Sequence, residues 1–101
     1  MSEPAADYTI VHNLARQRFE ATLPSGVAHT DYVRVGETLN MIHTEVPMAA
    51  SGGGVGKELV TAALDYARAN GLKIQPTCPY VRSYMRKHAE THDLLARGAR
   101  L

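Results

Sequence analysis

The sequence predicts a mixed α/β domain with the element order β-β-β-α-β-α and a mostly antiparallel sheet. Two observations carry that expectation. Apolar and polar residues alternate with a period of two through the first half, then recur with a helical period in the second. Short turn-forming clusters separate the first three strand-like runs, and connections that brief join antiparallel neighbours.

The elements follow in order. Residues 1–7 read as a disordered tail and 8–101 as one domain. Over residues 16–23, Arg16, Arg18, Glu20 and Thr22 face one way and Gln17, Phe19, Ala21 and Leu23 the other, as in a half-buried strand. Pro24-Ser25-Gly26 is a turn signal, and residues 27–35 are rich in the β-branched and aromatic types that strands favour. Gly36-Glu37 punctuates before a third strand, LNMIHTEV, at residues 39–46. Then Val55, Leu59, Val60, Ala63, Leu64 and Ala67 fall on one helical face, with Lys57, Glu58, Thr61, Asp65 and Arg68 opposite. Asn70-Gly71 ends that helix. Residues 72–78, LKIQPTC, form a short strand. Pro79 suits a first helical position, and Val81, Tyr84, Met85 and His88 stripe a second helix. Thr91 caps a final turn leading to Leu94-Leu95.

Composition narrows the function classes. At 101 residues with 45% hydrophobic and 21% charged content, the chain supports one core. A net charge of +1 gives no whole-molecule attraction to nucleic acid or membrane, so neither is an expected partner. The single cysteine, Cys78, permits no internal disulfide and points to a reducing compartment. The start, MSEPAADY, is polar and acidic, unlike a secretory or transit peptide, and the expected location is cytoplasmic. The five histidines are scattered without a second ligand at metal-binding spacing, so no metal is expected.

The glycine-rich stretch SGGGVGKELV at residues 51–60 carries the strongest local signal. A nucleoside-triphosphate loop, G-x-x-x-x-G-K-[ST], would need glycine at 51 and a hydroxyl at 58; Ser51 and Glu58 stand there. A dinucleotide fingerprint, G-x-G-x-x-G, would need glycine at 57 or 59, where Lys57 and Leu59 stand. What remains is a glycine turn opening a helix. Its free amides and the helix dipole suit a pyrophosphate. A flexible strand-to-helix connector explains the same residues equally well.

Three blocks taken together decide between those readings: HTEVP at 43–47, GGGVGKELV at 52–60 and KIQPTCPYVRSYMRKH at 73–88. In this order and spacing the chain resembles the small single-domain branch of the Gcn5-related N-acetyltransferases, from about residue 11 to 95. The resemblance implies the minimal form of that fold and acetyl-coenzyme A as cosubstrate. The family's pyrophosphate loop, [QR]-x-x-G-x-[GA], maps onto Ser51-Gly52-Gly53-Gly54-Val55-Gly56, with serine in place of Gln or Arg. Gly52, Gly53, Gly54, Val55, Gly56 and Lys57 would then hold the pyrophosphate. Thr44, Glu45 and Val46 would offer backbone groups to the pantetheine arm where their strand splays from its neighbour. Tyr80 and Arg82 would complete the coenzyme site. The family's downstream Asn…Ala…Tyr pattern is replaced here by Cys78-Pro79-Tyr80-Val81…Tyr84.

The expected catalytic residues are Cys78, His43 and Tyr84. Cys78 precedes a helix N-terminus, a placement that favours a nucleophilic thiolate, and in the minimal family the matching cysteine is a candidate acyl acceptor. It also alternates with Leu72 and Ile74 and reads equally as a small buried hydrophobe. His43, beside Met41 in the alternation, is of the residue type that serves as a general base or as a structural histidine; Glu45 is the other candidate base. Tyr80 or Tyr84 could protonate the leaving thiolate, although Tyr84 lies on a packing stripe. Arg86 and Lys87 read as a solvated helix face. The implied activity is acetyl transfer to an unidentified amine, directly or through Cys78. The alternative is a non-catalytic coenzyme A-binding or interaction module on the same fold. There is no room for a separate acceptor domain, which leaves a homo-oligomer as one way of completing the pocket.

Overall fold

The computed structural model describes residues 8–101; the predicted tail at 1–7 lies outside the described residues. Five strands form one sheet in sequential order: β1 (Val11–Asn13), β2 (Arg18–Leu23), β3 (Gly26–Val35), β4 (Thr38–Glu45) and β5 (Lys73–Pro76). The first three pairings are antiparallel and β4–β5 is parallel. A parallel neighbour needs a crossover, and helix α1 (Val55–Ala69) supplies it. Helix α2 (Pro79–Lys87) follows β5, and a 3₁₀ segment, Ala89–Leu94, precedes Leu95, which bridges to Ile74. The expected mixed α/β class and mostly antiparallel sheet are what the chain forms.

The helical stripe explains the packing. Val55, Leu59, Val60, Ala63, Leu64 and Ala67 are all buried, against Ala21, Ala28, Leu39, Met41 and Ile74 from the sheet. Val81 and Met85 of α2 join the same core. Gly71 closes α1 with φ +67°, and the Leu72 amide donates to the Ala67 carbonyl at 2.8 Å. Thr91 sits inside the last 3₁₀ segment instead of before it, buried, its hydroxyl donating to the His88 carbonyl.

Two features depart from the expected pattern. Strand β1 was not expected, being only three residues, VHN, too short to show an alternation. It is held by the His12 ring, stacked on Phe19 with centroids 4.0 Å apart and hydrogen-bonded to the Tyr32 hydroxyl at 2.6 Å. β2 accordingly starts at Arg18, because Gln17 turns the chain with φ +52°.

The second departure lies in β4. Tyr32 pairs with Met41 but Asp31 pairs with His43, so Ile42 is an extra residue, a β-bulge. Strict alternation would put residues 39, 41, 43 and 45 on one face. The bulge moves His43 and Glu45 to the outer face and turns Thr44 inward, opposite the fully buried Thr30. His43 therefore does not share a face with Met41, as the alternation had predicted.

Candidate functional site

The site is built where β4 and β5 part. Their pairing runs from Thr38↔Lys73 to Met41↔Pro76 and stops. The Cys78 amide then donates to the Met41 carbonyl at 2.7 Å as the chain turns into α2. β4 itself continues to Glu45, paired with β3 alone among the described residues. The facing backbone groups of its last residues are thus offered to something other than a strand, and such groups seek partners.

Beside this edge opens a cleft of about 410 Å³ lined by Thr44, Val46, Ala50, Ser51, Gly52, Gly54, Val55, Gly56 and Tyr80. Its floor is the start of α1. The helix begins at Gly54 in a left-handed conformation, φ +90°, with no side-chain cap on its first-turn amides. Gly52 also has φ +87°, so both positions suit glycine and resist residues with a Cβ. Gly56 is required for a different reason. A Cβ there would stand 2.7 Å from the Tyr80 hydroxyl oxygen and 3.4 Å from Val46 Cγ2. The two walls of the cleft close to within one methyl group of the helix.

Of the expected coenzyme contacts, Thr44, Val46, Gly52, Gly54, Val55, Gly56 and Tyr80 therefore come together in one cleft. Gly53 instead turns the loop, its amide donating to the Ala50 carbonyl at 3.2 Å. Lys57 is exposed on α1 one residue past the cleft lining. Arg82 reaches back to the Thr77 carbonyl at 3.2 Å and leaves its buried Nε without a partner. The side chain of Glu45 lies on the outer face. Ala50 and Ser51 line the cleft without having been expected to. The 3₁₀ turn Met48–Ala50, which brings them there, has no periodic signature in three residues.

The expected catalytic residues separate. Cys78 is buried in the core, its Sγ 3.6 Å from the Thr44 hydroxyl, which in turn lies 2.8 Å from that of Thr30. Thr44 lines the cleft, and Cys78 does not. Tyr84 is half-buried against α1, its hydroxyl 3.1 Å from that of Thr61 and its ring stacked on His88. It does not line the cleft. Tyr80 does, and burial, followed by the nearby Cys78, pushes its phenol above the usual tyrosine range. His43 and Glu45 lie on the outer face with His29 and Asp31. No group of three or more potential metal ligands occurs among the described residues.

A splayed parallel pair, a bulged strand before it and a glycine-opened helix beneath it place the chain in the class of GCN5-like mixed α/β folds. The chain belongs to the GCN5-related N-acetyltransferase family, whose model matches residues 18–94. Among individual relatives, Protein NATD1 of Xenopus tropicalis is 33% identical over 90 residues, covering 85% of this chain and 82% of the relative. Protein NATD1 of Mus musculus is 33% identical over 89 residues, with 85% and 81% covered. A GCN5-like protein from Staphylococcus aureus, solved by NMR, superposes with a TM-score of 0.67 at 26% identity, covering 87% of each chain.

Proposed function

We propose that the cleft binds acetyl-coenzyme A and that the protein transfers the acetyl group to an amine. The observation that carries this reading is the continuity of two features in one cleft. The unpaired edge of β4 and the uncapped N-terminus of α1 line the same cleft. The amides at Gly54–Gly56 suit the pyrophosphate. The edge around Thr44 and Val46 suits an amide-bearing pantetheine arm, which would complete the ladder that β5 leaves unfinished.

In this reading the free-base amine attacks the thioester carbonyl and the carbon–sulfur bond breaks. Tyr80 protonates the departing coenzyme thiolate; its hydroxyl faces the cleft, whereas that of Tyr84 is engaged by Thr61. Direct transfer is favoured over a Cys78 intermediate because the thiol is buried and does not line the cleft. A cytoplasmic location, where acetyl-coenzyme A is available, belongs to the same proposal. Isothermal titration of acetyl-coenzyme A into the protein tests the reading. Saturable one-site binding supports it, and no heat or thermal shift at millimolar ligand would sink it.

A further inference from the structure

A hydroxyl buried in a core needs a partner, and Thr30 of β3 is fully buried. Its Oγ1 lies 2.8 Å from Thr44 Oγ1 and 3.5 Å from the His43 carbonyl oxygen. Hydroxyls bond to oxygen at about 2.5–3.0 Å, so Thr44 is the partner and the carbonyl lies beyond ordinary reach. Thr44 has one further neighbour, Cys78 Sγ at 3.6 Å. Of these three residues, Thr44 alone lines the cleft.

Counting protons shows what Thr44 can do. A threonine hydroxyl carries one proton and accepts two. Among the described residues, Thr30 has no other acceptor within that range, so its proton goes to Thr44 Oγ1. The Thr44 proton is then left with the Cys78 sulfur, a weak and distant acceptor, or with whatever enters the cleft. Accepting from Thr30 also polarises the Thr44 hydroxyl and strengthens it as a donor. The backbone fixes where this donor stands. The Ile42 bulge turns Thr44 inward, opposite Thr30. Along β4 it lies between Met41, where pairing with β5 ends, and Val46, which stands beside Gly56. A ligand with its phosphates at Gly54–Gly56 and its arm running back along β4 from Val46 therefore brings its far end to Thr44.

We propose that Thr44 is a catalytic residue whose hydroxyl donates to the thioester carbonyl oxygen, and that Thr30 is the positioning residue that holds and polarises it. This inference rests on the acetyl-coenzyme A reading above. As the amine nitrogen bonds to the carbonyl carbon, the π pair of the carbonyl moves onto its oxygen. Thr44 stabilises that charge without giving up its proton. The pair returns as the carbon–sulfur bond breaks and Tyr80 protonates the thiolate. The surplus proton on nitrogen passes to solvent, from which Tyr80 is reprotonated. Cys78 acts before the ligand arrives: its sulfur accepts the Thr44 proton, so that the donor is not left without a partner.

The test needs no amine. Acetyl-coenzyme A carrying carbon-13 at the carbonyl is bound to the protein and its carbonyl resonance is read by NMR, where a hydrogen bond to the oxygen moves the signal downfield. The wild type is expected to show that displacement. Thr44→Val keeps the shape without the hydroxyl; it is expected to lose most of the displacement while binding coenzyme A as the wild type does in calorimetry. Thr44→Ser is expected to restore it. Thr30, buried and absent from the cleft lining, does not meet the ligand. Thr30→Val is nevertheless expected to reduce the displacement, and Thr30→Ser to return it. An undisplaced carbonyl in the bound wild type, a full displacement in Thr44→Val or Thr30→Val, or no rescue by serine overturns the proposal and leaves the acetyl-coenzyme A reading standing. Failure of acetyl-coenzyme A to bind overturns both.

Discussion

Replacing Gly56 with alanine tests the cleft with a single methyl group. The added Cβ would lie 2.7 Å from the Tyr80 oxygen, 3.1 Å from its Cζ and 3.4 Å from Val46 Cγ2. Carbon–oxygen contacts ordinarily settle near 3.4 Å or more, so the phenol must retreat by roughly 0.7 Å. Tyr80 is 46% exposed and meets the methyl with the far end of its ring, so the movement is cheap for the fold. Alanine also gains about 0.8–1 kcal/mol of helix propensity over glycine, which offsets the crowding. Stability should therefore change by less than about 1 kcal/mol in urea denaturation. Ligand binding should not be spared, because the displaced ring and the methyl both enter the space between the cleft walls. Acetyl-coenzyme A affinity is expected to fall about tenfold, equivalent to about 1.4 kcal/mol. The double variant Gly56→Ala/Tyr80→Phe lacks the oxygen that clashes and should recover part of that loss. Unchanged affinity in Gly56→Ala would refute the placement of the ligand. A large loss of stability would refute the claim that Tyr80 yields freely.

Other expectations follow from the same geometry. Tyr80→Phe should lower kcat with little change in the KM for acetyl-coenzyme A, whereas Tyr84→Phe should leave both nearly unchanged; the reverse pattern in steady-state kinetics would exchange their roles. Cys78→Ser should keep kcat within about threefold of wild type, and intact-mass spectrometry of the wild type should find no acetyl adduct on Cys78. An adduct that is chased to product by amine would establish the covalent route instead. Burial holds the His12 imidazole below its ordinary 6.5, so folding disfavours its charged form. Below pH 6.5 the unfolded chain takes up a proton that the folded chain resists, and stability should fall with pH until the folded value is passed. Thermal melts of wild type and His12→Gln across pH 5–8 should show a weaker slope in the variant, and equal slopes would remove His12 from the account.

Much of the fold was legible because local patterns and tertiary burial agree. The α1 stripe is buried at every residue that its period selected, and Pro79 and Gly71 stand where a helix start and stop require them. What was not legible depends on partners distant in sequence. Strand β1 exists because His12 finds Phe19, Tyr32 and Tyr66, and three residues cannot advertise that in advance. The bulge at Ile42 belongs to the ladder between β3 and β4, so reading β4 alone carries the alternation straight through it. The glycines of the cleft were visible from their spacing, but the use of Gly56 as clearance for Tyr80 was not. The two tyrosines of α2 look equivalent in sequence; only the packing of α2 against α1 directs one to Thr61 and leaves the other at the cleft.

The Ile42 bulge makes this region tolerant both of residue identity and of the loss of that one residue. The Ile42 side chain is 42% exposed, so exchanging it for another β-former alters little. Deleting it would let Met41, His43 and Thr44 pair with Tyr32, Asp31 and Thr30 in simple alternation, each keeping its present face. The outer residues His43 and Glu45 can therefore vary without displacing Thr44 and Val46 from the cleft, whether or not the extra residue is kept.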